Sequence, residues 1–323
     1  VWLIRYPWGE MMHRIGLDVH PPMYYIFLRV WTYVFGQSVF SLRGLSVLFG
    51  VATIVITYYF VNYVFQNKKA ALIAAALVAV NPFQIMYVTE ARMYTMGAFF
   101  AVAATFALAA ALRTQSLHYV TVANEVLRAQ LKQRFIKYYL LFTLSSAIMI
   151  YTHYYLLFTV AALGLYAIFY CIKNYKTQFT KYSWALLSGI LIAISFLPWL
   201  KIFLFQFRQV GAGYWIPPID RWSIPNTLWD LLLKFEHPAH GMIAIIAAFT
   251  IYIIIRAIWK LKKNEKWLTI AGFLAPFAGA ILFAIMADIQ HETSSVYLVR
   301  YFIFCSTFYV ILIALWLNNF KIR

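Results

Sequence analysis

Nine long apolar runs divide the chain, at 39–65, 70–88, 93–112, 138–151, 155–172, 182–200, 241–259, 268–288 and 301–317. A helix of roughly 20 apolar residues crosses a hydrocarbon core of about 30 Å. The pattern therefore predicts an all-α fold, a polytopic transmembrane bundle of about nine spans. Ahead of the first run, Pro22 suits the opening turn of a helix and Gly36 its end. That helix reaches only about 21 Å at 1.5 Å per residue, too short to cross. Its Tyr and Trp residues and single Arg29 predict a juxtamembrane helix in the interface. Residues 1–38 are read as the end of an outer loop carrying this helix, and 39–323 as the bundle.

Composition agrees with that division. The 323 residues are 64% apolar and 11% charged, too little polar surface to cover a soluble fold. The formal charge of +17 is not gathered on one soluble face, which argues against a nucleic-acid partner. Of the 27 basic residues, 17 fall in alternate gaps: 68–69, 113–137, 173–181, 256–266 and the C-terminal 321–323. By the positive-inside rule those gaps are cytoplasmic. The complementary gaps hold eight of the ten acids and six of the seven histidines, His118 being the exception. Polar chemistry is thus expected on the non-cytoplasmic side. Cys171 and Cys305 have no disulfide or metal spacing.

Two connections are more than turns. The cytoplasmic loop 113–137 contains an amphipathic stretch, 124–134, suited to anionic headgroups. The outer connection 201–240 holds Trp215-Ile-Pro217-Pro218 and an expected surface helix at 225–234. No internal repeat is evident, which counts against inverted-repeat transporters. The chain opens on Val1 in a polar-aromatic stretch, and the expectation is an N-terminally truncated fragment.

Five stretches are candidates for chemistry. In Leu17-Asp18-Val19-His20-Pro21-Pro22, the proline after His20 disfavours helix, so Asp18 and His20 share one side of an extended lead-in. The N–H groups of the following helix face them, a place for an anion or phosphate. A helix cap with an interfacial His is the bland alternative. In Thr89-Glu90-Ala91-Arg92-Met93-Tyr94, Glu90 suits a metal or an acceptor amine and Arg92 a phosphate. On a helix Glu90 and Tyr94 share a face, with Arg92 elsewhere. A structural ion pair is the alternative. His153 in Tyr151-Thr152-His153-Tyr154-Tyr155 is either a ligand or an interfacial anchor. Arg300 either binds an anion or snorkels. Trp215 either stacks on a sugar or belongs to an aromatic belt.

From Asp18-Val-His20-Pro-Pro-Met-Tyr-Tyr25 through Arg29-Val-Trp-Thr-Tyr-Val-Phe-Gly36 to Leu42-Arg43-Gly44, then Asn81-Pro82 and Glu90-Ala-Arg92-Met-Tyr94, the chain resembles the GT-C membrane glycosyltransferases of family 39, the protein mannosyltransferase-like group. The resemblance covers roughly 7–112 strongly and weakens beyond, at His153-Tyr154, Trp215 and Arg300-Tyr301.

That resemblance implies an inverting hexosyl- or pentosyltransferase. It implies a dolichyl- or polyprenyl-phosphate sugar donor in the bilayer, and a protein, lipid or glycan acceptor on the non-cytoplasmic side. A multi-pass protein of a prokaryotic plasma membrane, with its site facing outward, is the expected setting. The family's base is an Asp, usually in an Asp-Glu pair upstream of His-Pro-Pro; that pair is expected before Val1, since Glu10 has the wrong context. The resemblance implies Asp18 and Glu90 as supporting carboxylates and His20, Arg92 and Arg300 around the donor phosphate. It also implies Tyr94, His153, Tyr154 and Trp215 towards sugar or acceptor, and a divalent metal at His20 and Glu90 as an open option. A transporter or flippase of a polyprenyl-linked saccharide is the alternative, although it would carry polar residues deep in its spans.

Overall fold

The computed structural model describes residues 2–120, 124–175, 182–211, 216, 218–234, 236–291 and 296–318. Two short helices come first, α1 (Trp8–Leu17) and α2 (Met23–Phe35). The juxtamembrane helix is therefore where Pro22 and Gly36 place it, and Gly36 ends it at a φ of +73° that favours glycine. The bundle then runs α3 (Val39–Phe65), α4 (Lys68–Val80), α5 (Pro82–Val88), α6 (Tyr94–Val120), α7 (Glu125–Ile150), α8 (Leu156–Tyr175) and α9 (Ser183–Gly211). It continues with α10 (Ser223–Leu232), α11 (His240–Lys260), α12 (Lys263–Thr269), a π-helical turn (Ile270–Leu274), α13 (Ala275–His291) and α14 (Ile303–Asn318).

Among the described residues seven helices are long and apolar enough to cross a membrane, and the bent pair α4–α5 makes an eighth. The protein is an integral, multi-pass membrane protein built as an all-α bundle. The fourth apolar run, 138–151, is not among these spans; it is the second half of α7, whose first half carries Arg128, Lys132, Arg134 and Lys137. This one helix absorbs most of the expected loop 113–137. Asn124 caps it by accepting from the Leu127 N–H at 2.9 Å, and His118 Nδ1 lies 2.8 Å from the Arg128 carbonyl. The expected outer connection 201–240 is likewise partly helical, since α9 runs on to Gly211 and the surface helix is α10.

The run 70–88 is broken. Pro82 has no N–H to continue α4, and the Asn81 side chain accepts from the Gln84 N–H at 2.9 Å to start α5 afresh, at 56°. The bend turns α5 inward, where Gln84 donates to Ser306 Oγ at 2.6 Å on α14.

The centre of the bundle is α6 with α14, each buried over most of its length. Alanine and glycine on α6 allow the close approach, as small residues do between helices in lipid. At Gly97 a Cβ would stand 2.5 Å from the Phe304 ring. The start of α6 thereby meets the start of α14, and the polar loops that precede both helices come together at the same end.

Candidate functional site

Asp18 terminates α1 with an extended backbone and accepts from the Val19 N–H at 2.8 Å. Its second oxygen stands 3.5 Å from His20 Nδ1, an ion-pair distance longer than a good hydrogen bond. Asp18 and His20 therefore meet, as their spacing predicts. His20 beside it is the main reason the Asp18 carboxyl is held below the usual carboxylate range; the Val19 N–H and Arg92 add to this, against partial burial that raises it.

The start of α2 is less open than expected. The Met23 N–H donates to the Tyr151 carbonyl at 2.8 Å, so one of the N–H groups assigned to an anion has a protein partner. That bond also docks the 18–22 segment on the turn between α7 and α8. It brings His20 against His153, ring edge to face, with centroids 6.0 Å apart. His153 is 5% exposed, enclosed by Tyr301 at 4.7 Å and Phe304 at 4.9 Å. Burial, with His20 nearby, pushes its pKa well below the usual histidine value, so the ring is neutral at pH 7. Its Nδ1 accepts from the Tyr155 N–H at 3.3 Å, which assigns the ring proton to Nε2.

The 89–93 segment is a turn rather than a helix, so the helical face expected to hold Glu90 and Tyr94 together does not form. Glu90, Tyr94 and Tyr87 lie within electrostatic reach of the Arg300 guanidinium, and Arg92 within reach of Asp18, Tyr24 and Tyr25, with no ion pair formed to either arginine among the described residues. The Arg92 carbonyl accepts from Ser46 Oγ at 3.2 Å, and Ser46 is 3.1 Å from the Tyr24 hydroxyl, tying the turn to α2 and α3. Tyr94, fully buried, stands 6.3 Å from His153 between ring centres. Tyr25, absent from the candidates read in the sequence, faces Asp18, Arg92 and Tyr94; burial first and Asp18 second push its phenol up to about 12.

Beside His20 and His153 opens a cavity of about 290 Å³, and its far wall is Phe158, Phe203, Phe207 and Phe283. Tyr154 stands in its wall with the hydroxyl engaged, receiving from Trp199 Nε1 at 2.9 Å and donating to Gln206. Gln206 reaches back to the Ile15 carbonyl at 2.8 Å, holding the end of α1 against α9. Trp215 lies outside the described residues. Glu10 pairs with Arg14 at 2.6 Å on an exposed face of α1.

The sequence reading passed over Asp230 on α10. It is 2% exposed and held by Lys234 at 3.3 Å and His237 at 3.1 Å. The spacing of Asp230 and Lys234, one helical turn, is the signal that was available. No three His, Cys, Asp or Glu side chains gather as a metal would need, among the described residues. His20 pairs with Asp18, and no cluster of ligands joins it to Glu90 among the described residues, so the metal expected at His20 and Glu90 finds no joint ligand set, and no step below passes through one.

Residues 19–126 match the model of one protein family, dolichyl-phosphate-mannose-protein mannosyltransferase. Comparison with the curated proteins finds no match. Among solved structures the chain is similar to apo ArnT from Cupriavidus metallidurans, with a TM-score of 0.58 at 13% identity over 93% of this chain and 50% of that one. ArnT bound to undecaprenyl phosphate gives 0.57 at 14%, over 93% of this chain and 50% of that one. The oligosaccharyltransferase AglB from Archaeoglobus fulgidus, in complex with an inhibitory peptide and a dolichol-phosphate, gives 0.57 at 14%, over 93% and 42%. The chain thus spans half or less of the length of these structures. Over residues 19–126 the chain matches that mannosyltransferase family, and its fold is similar to those of ArnT and AglB.

Proposed function

We propose that this chain forms the membrane core of a glycosyltransferase that moves a sugar from a polyprenyl phosphate to an acceptor on the non-cytoplasmic side. The observation that carries the reading is the cavity. Its phenylalanine wall suits an isoprenoid chain, and its polar end at His20 and His153 adjoins Asp18, with the charges of Arg92, Glu90 and Arg300 acting on the same group of side chains. Known lipid-binding pockets combine such an apolar lining with few polar groups. The structural relatives point the same way, since ArnT was solved with undecaprenyl phosphate and AglB with a dolichol-phosphate.

In the proposed reaction an acceptor oxygen or nitrogen attacks the anomeric carbon from the face opposite the phosphate. The bond from that carbon to the phosphate oxygen breaks, and its electron pair leaves with the polyprenyl phosphate. The acceptor's proton passes to a carboxylate, and the sugar is inverted. Arg92, Arg300 and His20 stand around the place where negative charge grows on the leaving phosphate, which lowers the barrier most. Asp18 and Glu90 keep those cations aligned. Tyr94 and His153 form the floor under the sugar, and Tyr154 lies in the wall.

The test uses membranes containing the full-length protein, a panel of polyprenyl-phosphate sugars, and lipid, glycan and peptide acceptors. Transfer from a lipid-linked donor is expected, and loss of transfer in both Asp18→Ala and Glu90→Ala. A donor lipid that binds and is never consumed, with every acceptor class, would return the chain to the transporter reading.

A further inference from the structure

A second cavity lies at the opposite end of the bundle and has no part in the proposed transfer. It measures about 470 Å³ and is set between the end of α3, the lower half of α6, α8 and the start of α12. Arg113 on its wall lies about 28 Å along α6 from Tyr94, at 1.5 Å per residue. It is more polar than the first cavity: Gln66, Arg113, Ser116, Tyr170, Lys262 and Asn264 line it.

Arg113 is held in position for a ligand. Its guanidinium lies 5.1 Å from the Tyr63 ring and donates to the Tyr63 carbonyl at 3.2 Å. The Gln66 side chain, with its oxygen turned to the guanidinium, accepts from it at 2.7 and 2.8 Å. Arg113 and Lys262 make no ion pair among the described residues. Glu265 is the one acid in the wall, and one of its oxygens accepts from the Lys262 N–H at 3.0 Å. The cavity is therefore cationic, with the arginine already fixed.

A separate feature supplies the other half of the ligand. An apolar groove of about 290 Å³ runs along α8 and the π-helical turn, between Leu165, Phe169, Trp267 and Ile270. Tyr166 belongs to the walls of both spaces, so the polar cavity and the apolar groove adjoin. Trp259 and Trp267 are exposed at this level, as aromatic residues are where a bundle passes headgroups.

We propose that these two spaces together bind one anionic phospholipid, its phosphate at Arg113 and Lys262 and an acyl chain along the α8 groove. Basic pockets between spanning helices on the cytoplasmic side hold anionic headgroups in this way. A phosphate without the chain would leave the groove empty, and a zwitterionic lipid would place its own cation against Arg113 and Lys262.

The experiment compares thermal unfolding of the delipidated full-length protein in detergent with added phosphatidylglycerol, phosphatidylcholine or inorganic phosphate. Phosphatidylglycerol alone is expected to raise the midpoint, and the shift should vanish in Arg113→Gln/Lys262→Gln. Ala162→Trp, which fills the groove and leaves the charges in place, should also remove it. An equal shift with phosphatidylcholine or inorganic phosphate overturns the proposal, as does a phosphatidylglycerol shift that survives both variants. If the double variant fails to fold, Ala162→Trp decides alone.

Discussion

The imidazoles of His20 and His153 meet edge to face at 6.0 Å, although 132 positions and six intervening helices separate them in the chain. One backbone bond, from the Met23 N–H to the Tyr151 carbonyl, sets this contact. His153 is buried neutral, and that gives stability a pH dependence of known sign. In the unfolded chain the ring titrates near 6.5, whereas in the fold its pKa lies well below. Below 6.5 the unfolded state binds the extra proton, so stability is complete above that value and falls as the pH drops towards the folded pKa. Thermal unfolding between pH 7.5 and 5.5 should show the midpoint dropping in the wild-type protein. His153→Gln should flatten that slope; an unchanged slope would place the titration elsewhere.

The two arginines predict a kinetic difference. Arg92 acts electrostatically on Asp18, and Glu90 on Arg300, so removing either arginine leaves a carboxylate's charge unopposed near the donor phosphate. Arg92→Ala and Arg300→Ala should each lower kcat by about 10²-fold, the usual loss for one charge-stabilising group. Arg300→Lys keeps the charge and loses the planar fork, so it should recover part of the rate. Donor KM that rises while kcat stays fixed would assign the arginines to binding in ground and transition state alike.

Much of this was legible because lipid leaves few choices. Apolar runs longer than the hydrocarbon core must be helices, and the Pro22 and Gly36 punctuation fixed α2 to within a residue. The break in α4–α5 was not read, even though Asn81-Pro82 stood in view, because apolarity continues across it. What makes it a bend is the hydrogen-bonding capacity of Asn81 and Gln84, and their partners lie on α10 and α14. In the site, Asp18 and His20 were legible as neighbours two positions apart. The electrostatic influence of Glu90 on Arg300 was not, since nothing local links two loops 210 positions apart. Asp230 was missed for a related reason: its burial depends on α10 docking against α5, α11 and α14.

Close packing between α6 and α14 supports the site from beneath. A methyl group at position 97 would stand 2.5 and 2.8 Å from two atoms of the Phe304 ring and 3.0 Å from Leu156. Gly97→Ala should therefore destabilise the protein by about 1–3 kcal/mol, the cost of overpacking. Phe304 also packs on His153, so the displaced ring should lower transfer activity as well. Gly97→Ala/Phe304→Leu should regain part of the stability in a detergent unfolding assay. No loss in the single variant would mean that the helices separate without cost.

The bend at Asn81 makes two claims that separate variants can divide. Its side-chain oxygen caps α5 through the Gln84 N–H, and its nitrogen donates to the Leu231 carbonyl at 3.0 Å, fastening α10 to the bend. Asn81→Ala removes both. The lost cap costs about 1 kcal/mol, and a buried carbonyl left without a donor about 1–3 kcal/mol more. Asn81→Asp keeps the cap acceptor, and its charge suits a helix N-terminus; it loses the donor and sets a carboxylate oxygen against the Leu231 carbonyl. If fastening α10 is the larger part, Asp should destabilise the protein as much as Ala. Stability near wild type in Asn81→Asp, with loss in Asn81→Ala, would show that the cap alone holds the bend. Unfolding curves of the two variants, measured in the same detergent, separate these outcomes.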